Sequence, residues 1–395
     1  MRLSLAFSSC NWRSWARCET VMPENWFFHL MGWTPSRLQR TMRNCRFIPT
    51  PVKGEDHDRI CFLAIDVAKN VFQLHGAASD GSVVFRRRLM RDQLPEFIAK
   101  LPACVIAMEA CASAHHWARE FRRFGHDVRL ISPQFVRPFV KGSKNDGNDA
   151  EAICEAMQRP NMRFVPVKTI EQQDIQSLHR VRSRLVSERT ALVCQIRGIL
   201  AERGIVFAKA LTRVRREVPV IAQDLNNPLT PILRTMLTEL MGELSALDER
   251  IKKFDRHIDA VFQSNEACQR IACIEGVGPK TATAFVAAIG DPHEFKNGRH
   301  FAAWLGLVPR QRSSGDRQLL LGITKRGDKY LRTLLVHGAR AVLRTAPKKN
   351  DAKHAWALEV ASRRGAPKAI VAIANKMARV IWVLLAKKED YRPAV

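Results

Sequence analysis

The pattern of apolar and polar positions divides the chain into four regions. In the first, residues 1–57, four of the eight tryptophans are scattered among arginine, asparagine, proline and serine without helical or strand periodicity. A segment without a regular apolar face gives no signal for an amphipathic helix or strand. We therefore expect residues 1–57 to be a disordered N-terminal extension, with a functional arm as the alternative.

The second region, residues 58–165, alternates short apolar runs with amphipathic stretches, which predicts a mixed α/β domain. We predict strands at 60–66, 71–77, 83–89, 104–108 and 127–131, and helices at 93–100, 114–124 and 149–157. This element order, with three strands followed by alternating helices and strands, is that of the RNase H-like fold. Periodicity alone does not select the topology.

The third region, residues 166–265, carries two heptad series typical of a coiled coil. The first has an apolar residue at every seventh position from Leu178 to Ile199, on a highly basic helix. The second alternates spacings of four and three from Leu233 to Val261. The two helices either fold back on each other within the chain or pair with another subunit, and the sequence leaves both arrangements open.

The fourth region, residues 266–395, is predicted to be mainly helical, with late helices at about 329–343 and 352–387. A glycine-rich loop near its start contains Gly276, Gly278 and Lys280 and leads into a helix N-terminus. Backbone N–H groups at such a terminus, with a lysine nearby, can bind a phosphate without reading a base. The loop resembles the hairpin of a helix-hairpin-helix motif, and a plain connector is the alternative.

Composition adds a strong charge signal to this outline. The chain has 64 Lys and Arg against 38 Asp and Glu, a formal net charge of +26, which favours a nucleic-acid partner over an unspecific basic surface. We see no secretory signal, no uninterrupted apolar run of membrane-spanning length and no CxxC pair among the ten cysteines. We therefore expect a cytoplasmic protein with reduced thiols, no zinc site and no membrane partner.

Four carboxylates stand where an α/β domain places its chemistry. Asp66 and Glu109 each follow an apolar strand, and Asp146 and Asp149 lie three residues apart at the start of a helix. Converging carboxylates of this kind hold paired Mg²⁺ ions in phosphoryl-transfer enzymes. Each residue also has a simpler interpretation, because an aspartate can cap a helix and a carboxylate can solvate the end of a strand.

A serine-bearing loop in the C-terminal region is the third candidate. Ser313 and Ser314 lie in a segment rich in cations, where basic side chains could hold a phosphate against an activated hydroxyl. A flexible basic loop that only touches DNA is the alternative. The neighbouring basic residues are Arg310, Arg312, Arg317, Lys325 and Arg326.

These motifs together resemble a known family. The segments 64–69 (AIDVAK), 108–110 (MEA) and 144–150 (KNDGNDA) resemble the RuvC-like DEDD domain of insertion-sequence 110 transposases, and are closest to the 1111 subgroup. The stretch 306–315 (GLVPRQRSSG) resembles the C-terminal domain of the same proteins. The resemblance runs from about residue 60 to beyond residue 380 and includes the heptad region.

The resemblance implies a composite active site. Asp66, Glu109, Asp146 and Asp149 would bind Mg²⁺, and Ser314 would form a covalent phosphoserine link to DNA, with the adjacent Ser313 as the alternative nucleophile. It also implies a homo-oligomer, a dimer or tetramer, guided by a structured non-coding RNA of the element. Two other classes stay open at this point, a metal-only RuvC-like Holliday-junction nuclease and a non-catalytic DNA-binding protein.

Overall fold

The structure is a computed structural model that describes residues 59–141, 146–315 and 317–392, without the side chain of Asp146. The predicted extension, residues 1–57, lies outside the described residues. The chain divides into two compact units, the first ending at Val165 and the second beginning at Pro166.

The first unit is a sheet of six strands with helices against it, which confirms the predicted mixed α/β class. The spatial order of the strands is β3-β2-β1-β4-β5-β6. The strands are β1 (Phe62–Val67), β2 (Val71–Ala77), β3 (Val83–Met90), β4 (Val105–Glu109), β5 (Asp127–Ile131) and β6 (Phe164–Val165). The helices are α1 (Leu94–Ala99), α2 (Ala114–Arg123) and α3 (Asp146–Met157), with short helical turns at Pro133–Val136 and Arg137–Phe139.

The centre of this sheet is parallel and its margins are antiparallel. Strand β1 pairs parallel with β4, and β4 pairs parallel with β5, whereas β2, β3 and β6 pair antiparallel with their neighbours. Parallel strands are usually covered on both faces, and β4 is accordingly apolar and buried along four of its five residues. Two details differ from the prediction: β6 was not predicted, because two residues show no periodicity, and α3 begins at Asp146 instead of Asp149.

The second unit is mainly helical, as predicted for residues 266–395, and includes one β-hairpin. Its helices are α4 (Ile170–Ala201), α5 (Leu211–Gln223), α6 (Pro231–Gln263), α7 (Glu266–Ala272), α8 (Pro279–Ala288), α9 (Gly298–Trp304), α10 (Lys329–Thr345), α11 (Ala352–Arg364) and α12 (Ala366–Lys387). Strands β7 (Pro309–Ser314) and β8 (Arg317–Ile323) form the hairpin.

The heptad helices fold back on each other within the chain. Helix α4 begins at a capping box formed by Thr169 and Gln172, and Thr230 caps α6 just ahead of a proline suited to the first helical turn. The apolar seam of α6 packs against α4 and α5 and is buried there. The buried seam residues of α6 in this cluster are Leu233, Leu237, Leu244, Leu247 and Ile251. Of the two arrangements considered, the intrachain hairpin is the one that the chain adopts.

Asp248 ties the three helices of this arm together. Its Oδ1 accepts a hydrogen bond from Arg189 of α4 at 3.1 Å, and its Oδ2 accepts one from Nε of Arg215 of α5 at 2.9 Å. The side chain of Asp248 is only 13% exposed. Burial raises the pKa of this carboxyl, but the hydrogen bonds from Arg215 and Arg189 outweigh burial and hold the pKa below its usual value.

The C-terminal helices form the core of the second unit. We predicted one helix over about 352–387, but the chain breaks it at Gly365 into α11 and α12. Pro367 explains the break, because proline lacks the N–H that a continuous helix needs and is tolerated in a first turn. Helix α12 is the only described helix that is long and apolar enough to cross a membrane. Its Ile373, Met377 and Ile381 are buried in this core.

We expect Asp248→Asn to lower the free energy of unfolding at pH 7 by about 2 kcal/mol, because two arginines lose a largely buried charged partner. The folded pKa lies below the ordinary value of 3.8, so this stabilisation is present above that pH and is lost as the pH falls through the folded pKa. Urea denaturation from pH 7 downward measures it. Glu249→Gln is the control, since Glu249 is 68% exposed, and a loss as large in the control would contradict the assignment.

Candidate active site

Asp66 and Glu109 lie side by side at one edge of the sheet. In the parallel pairing of β1 with β4, Ile65 is opposite Met108, so the next residue on each strand is one of the two carboxylates. Both side chains are half-buried. The carboxyl ends of neighbouring parallel strands are the usual position for a functional crevice in α/β proteins.

The position and the pKa of Cys111 indicate that Asp66 and Glu109 lie close together. Its Sγ donates to the Val67 carbonyl at 3.7 Å, which places the thiol beside the end of β1. Burial raises the pKa of this thiol, and the negative charges of Glu109 and Asp66 raise it further. Both carboxylates therefore lie close enough to one thiol to repel its charged form.

Helix α3 carries the other two predicted metal ligands, Asp146 and Asp149. It packs against β1, β2 and β4, and a salt bridge of 2.7 Å between Arg86 and Glu151 holds it to the β3 margin. Asp149 is half-buried in the first turn, and Asp146 is the first residue of the helix. Within the described side chains, which exclude that of Asp146, no three His, Cys, Asp or Glu converge closely enough to hold a metal. The fourfold ligand set therefore stays a prediction.

The predicted serine loop is a β-hairpin, which corrects the loop interpretation. Its two strands pair antiparallel, with Ser313 opposite Gln318 and Ser314 opposite Arg317. Nearly every residue of β7 and β8 is exposed, so no buried apolar face marked these strands in the sequence. The predicted Arg310 and Arg312 lie on β7, and Lys325 and Arg326 follow β8 as exposed residues.

The two serines occupy opposite faces of this hairpin, because successive strand residues point to opposite sides and cross-strand partners share a side. Ser314 shares its face with Arg312 and with Arg317 across the hairpin. Ser313 shares its face with Gln311 and Gln318, and its hydroxyl oxygen accepts a hydrogen bond of 2.9 Å from Gln311. Ser314 therefore lies beside two guanidinium groups and Ser313 beside two neutral amides.

The base of the hairpin is fixed by backbone contacts that the sequence did not indicate. Nη1 of Arg332, on α10, donates to the Leu305 carbonyl at 2.9 Å and to the Arg326 carbonyl at 3.0 Å, which joins the segments before and after the hairpin. Gly327 adopts φ +78°, and a Cβ at this position would lie 1.9 Å from the Trp304 carbonyl oxygen. The exposed strands thus extend from a tightly packed base.

The glycine-rich loop has the predicted form of a turn that enters a helix. Gly278 is the N-cap residue of α8 and Pro279 opens its first turn. Lys280 has a carboxylate partner within the protein. Its Nζ lies 3.2 Å from Oδ1 of Asp255, and this carboxylate also accepts a hydrogen bond from Arg182. Part of the lysine charge predicted for a phosphate is thus balanced within the protein, and a phosphate contact here stays a prediction.

Sequence reasoning also missed His179, a buried residue of α4. The Thr283 hydroxyl donates to the Pro279 carbonyl at 2.8 Å, so Thr283 Oγ1 accepts from His179 Nε2, at 3.0 Å. His179 Nδ1 then accepts from the Tyr330 hydroxyl, also at 3.0 Å. Burial, with Arg182 and Lys280 nearby, lowers the pKa of His179 to about 4, so the imidazole is neutral at pH 7. A histidine on a leucine-rich helix has the same appearance in the sequence whether it is buried and hydrogen-bonded, as here, or exposed on the surface.

Together, a carboxylate-bearing sheet edge and an exposed basic hairpin with a serine are features of an enzyme that acts on nucleic acid. Comparison with known proteins agrees. Residues 63–204 match the DEDD transposase family of the IS110 group, and residues 268–355 match the family described as Transposase IS116/IS110/IS902 family.

Two relatives cover most of the chain. It is 51% identical over 334 residues to a probable family 20 transposase of Pseudomonas aeruginosa, covering 84% of this chain and 98% of the relative. It is 47% identical over 333 residues to the transposase for insertion sequence element IS1111A of Coxiella burnetii, covering 84% and 92% of the two chains. The chain therefore belongs to the IS110/IS116/IS902 family of transposases, which confirms the resemblance seen in its motifs.

We expect Gly327→Ala to lower the free energy of unfolding by about 2 kcal/mol or more, because alanine would be strained at φ +78° and would meet the Trp304 carbonyl. Gly322→Ala in β8 is the matched control, since a Cβ there meets nothing within 4 Å. Thermal unfolding of both variants measures the difference. Equal melting temperatures for the two variants would show that the base of the hairpin yields easily.

The stability of the protein should fall in acid through His179. The unfolded residue takes up a proton near pH 6.5 and the folded residue only near 4, so the unfolded state binds more protons between these values. Folding stability should therefore drop as the pH falls through this window, by up to about 1.4 kcal/mol per pH unit. His179→Gln preserves one donor and one acceptor and removes the titration. Denaturation at several pH values should give a flatter profile for the variant, and identical profiles would refute the assignment.

Proposed function

We propose that this transposase cleaves and exchanges DNA strands through a covalent phosphoserine link at Ser314. The observation that carries the proposal is the face of the β-hairpin on which Ser314 lies between Arg312 and Arg317. Within the described residues, which exclude Asp316, neither arginine makes an ion pair. Guanidinium groups bind phosphate oxygens in bidentate fashion and stabilise the charge that develops on them.

The first unit acts as an RNase H-like domain of the RuvC-like kind. Its strand order, with antiparallel β1, β2 and β3 followed by parallel β4 and β5, supports that assignment. Asp66, Glu109, Asp146 and Asp149 would hold Mg²⁺, because carboxylate oxygens are the donors that this ion prefers. When bound, the metal supplies Lewis-acid activation of the phosphate and stabilisation of the leaving oxygen.

The chemistry assigned to Ser314 balances without any further reactant. Its Oγ loses its proton and bonds to the scissile phosphorus, and the bond from phosphorus to the leaving sugar oxygen breaks. The leaving oxygen takes up one proton and becomes a free hydroxyl, so the proton that the serine releases balances the one that the leaving oxygen gains. The energy of the phosphodiester is kept in the phosphoserine link. The hydroxyl of a different strand then attacks the same phosphorus and releases the serine, which exchanges the strands through a junction intermediate.

The environment of the two serines supports Ser314 over Ser313 as the nucleophile. A hydroxyl beside two guanidinium groups faces a phosphate that those groups attract and orient. Ser313 lies beside Gln311 and Gln318, and its oxygen already accepts a hydrogen bond. Neutral amides offer no comparable attraction for a phosphate.

The remaining parts of the proposal concern partners. We infer that the protein works in the cytoplasm as a homo-oligomer and that a structured non-coding RNA of its element selects the donor and target DNA. The formal net charge of +26 is compatible with RNA and DNA bound together. In such a scheme base pairing carries sequence choice while the protein holds backbones.

A search for a denaturant-resistant protein–DNA adduct tests the proposal. The full chain is incubated with Mg²⁺, DNA spanning the element end and RNA transcribed from the adjacent non-coding region. We expect an adduct in wild type and in Ser313→Ala, and a loss of at least about 100-fold in Ser314→Ala, because the nucleophile is absent. Asp66→Asn should lose the adduct while retaining DNA binding.

The controls separate the competing functions. Cleavage by Ser314→Ala without any adduct would favour a metal-only nuclease, and unchanged activity in Asp66→Asn would favour a non-catalytic DNA-binding protein. Chelation of the metal and omission of the RNA, each in a parallel reaction, test those two partners separately. An adduct that survives in Ser314→Ala but disappears in Ser313→Ala would move the nucleophile by one residue.

A further inference from the structure

Helix α10 has an exposed face on which every charged residue is positive. Residues spaced by three or four positions lie on one side of a helix. On the opposite side of α10, Leu331 and Leu335 are buried in the core of the second unit. We call the exposed face the α10 stripe, and its residues are Lys329, Thr333, His337, Arg340 and Arg344.

The helix itself supplies no partner for the cations of the stripe. No Asp or Glu occurs between Lys329 and Thr345. Arg340 and Arg344 lie one turn apart, and like charges at this spacing destabilise a helix. The side chains three or four positions from Arg340 are Val336, His337, Leu343 and Arg344. Local helix stability therefore does not explain the two arginines.

The surrounding protein does not neutralise these cations either. Within residues 59–141, 146–315 and 317–392, none of the three cations of the stripe forms an ion pair. Helix α5 shows the contrast, because its Arg213 and Arg216 lie 2.7 and 2.8 Å from the carboxylate of Glu217. The α10 stripe thus presents positive charge to solvent, whereas the charge of these two α5 arginines is partly balanced.

We propose that the α10 stripe binds the phosphates of a nucleic-acid backbone. From Lys329 to Arg344 the stripe is about 22 Å long at roughly 1.5 Å per residue, which matches about six phosphate intervals of one strand of a duplex. The stripe contains no large apolar side chain, so a polyanion suits it better than an apolar protein surface does. Contacts to phosphates position a strand without reading its bases.

The position of the stripe along the chain gives it a role. Lys329 follows Ile323, the last residue of β8, by six positions, and Arg332 of the same helix holds the base of the hairpin. A backbone bound along the stripe would thus be anchored beside the hairpin that carries Ser314. The inference rests on the proposed function for its partner, a nucleic acid. It concerns binding alone, so the adduct at Ser314 and the stripe are tested by separate measurements.

Two double variants with the same loss of charge test the stripe. Arg340→Gln with Arg344→Gln removes two positive charges from it. Arg213→Gln with Arg216→Gln removes two from α5, where both side chains pair with Glu217. Fluorescence anisotropy of the full chain with labelled single-stranded DNA, duplex DNA and RNA of one sequence measures affinity against salt. EDTA in every reaction prevents cleavage.

We expect the double glutamine variant of α10 to weaken binding at about 0.1 M salt roughly 30-fold, because two phosphate contacts are lost. The slope of log K against log salt should become shallower by about 1.4 with single strands and about 1.8 with duplex DNA. The α5 variant should bind as wild type does. Arg340→Lys with Arg344→Lys should keep the wild-type slope, because a phosphate contact requires the charge. Circular dichroism confirms that each variant is folded.

The three nucleic acids identify the source of the phosphates. A loss confined to DNA or to RNA assigns the stripe to that strand, and a loss with all three assigns it to backbones in general. Wild-type affinity of the α10 glutamine variant with every probe would overturn the proposal, as would the absence of salt-dependent binding by wild type. An equal loss in the α5 variant would overturn it too, because the effect would then come from net charge. A loss in the lysine variant as large as in the glutamine variant would exclude a charge-based contact.

Discussion

A chain of hydrogen bonds from Tyr330 through His179 and Thr283 to the Pro279 carbonyl fixes three helices of the second unit relative to one another. It joins α4, which carries the heptad seam, to α8, which follows the glycine-rich loop, and to α10, which follows the serine hairpin. Hydrogen bonds are directional and buried polar groups must be satisfied, so the chain specifies one arrangement where apolar packing would allow several. A neutral imidazole is essential, because Nδ1 must accept and Nε2 must donate.

The same helices carry groups that we propose to contact nucleic acid. Helix α10 supplies Arg332 to the base of the hairpin, and α8 begins at the glycine-rich loop. The exposed hairpin gains no order from a core of its own, and isolated two-stranded hairpins are marginal in water. The direction in which the hairpin extends depends on the contacts of Gly327 and Arg332 at its base. Those contacts depend in turn on the position of α10.

The sequence was most informative where one physical rule determines the outcome. Alternating apolar runs predicted the strands that carry Asp66 and Glu109, and the heptad spacing predicted the buried seam of α6. The sequence could not decide between an intrachain hairpin and a subunit interface, since the same seam suits either. It also missed β7 and β8, because both strands lack a buried face, and it missed Arg332, whose partners are backbone carbonyls that any sequence provides.

The net charge of +26 overstates the positive charge that is free to bind nucleic acid, because many of the cations form ion pairs within the protein. Arg189 and Arg215 neutralise Asp248, and Arg182 and Lys280 share Asp255. A basic residue in a motif is thus a poor guide to a phosphate contact until its internal partners are known. Lys280 matches a phosphate-binding motif yet has a carboxylate partner, whereas Arg312 and Arg317, beside Ser314, make no ion pair with the described residues. The charges that remain after internal pairing, and not the total, define where a nucleic-acid backbone can bind.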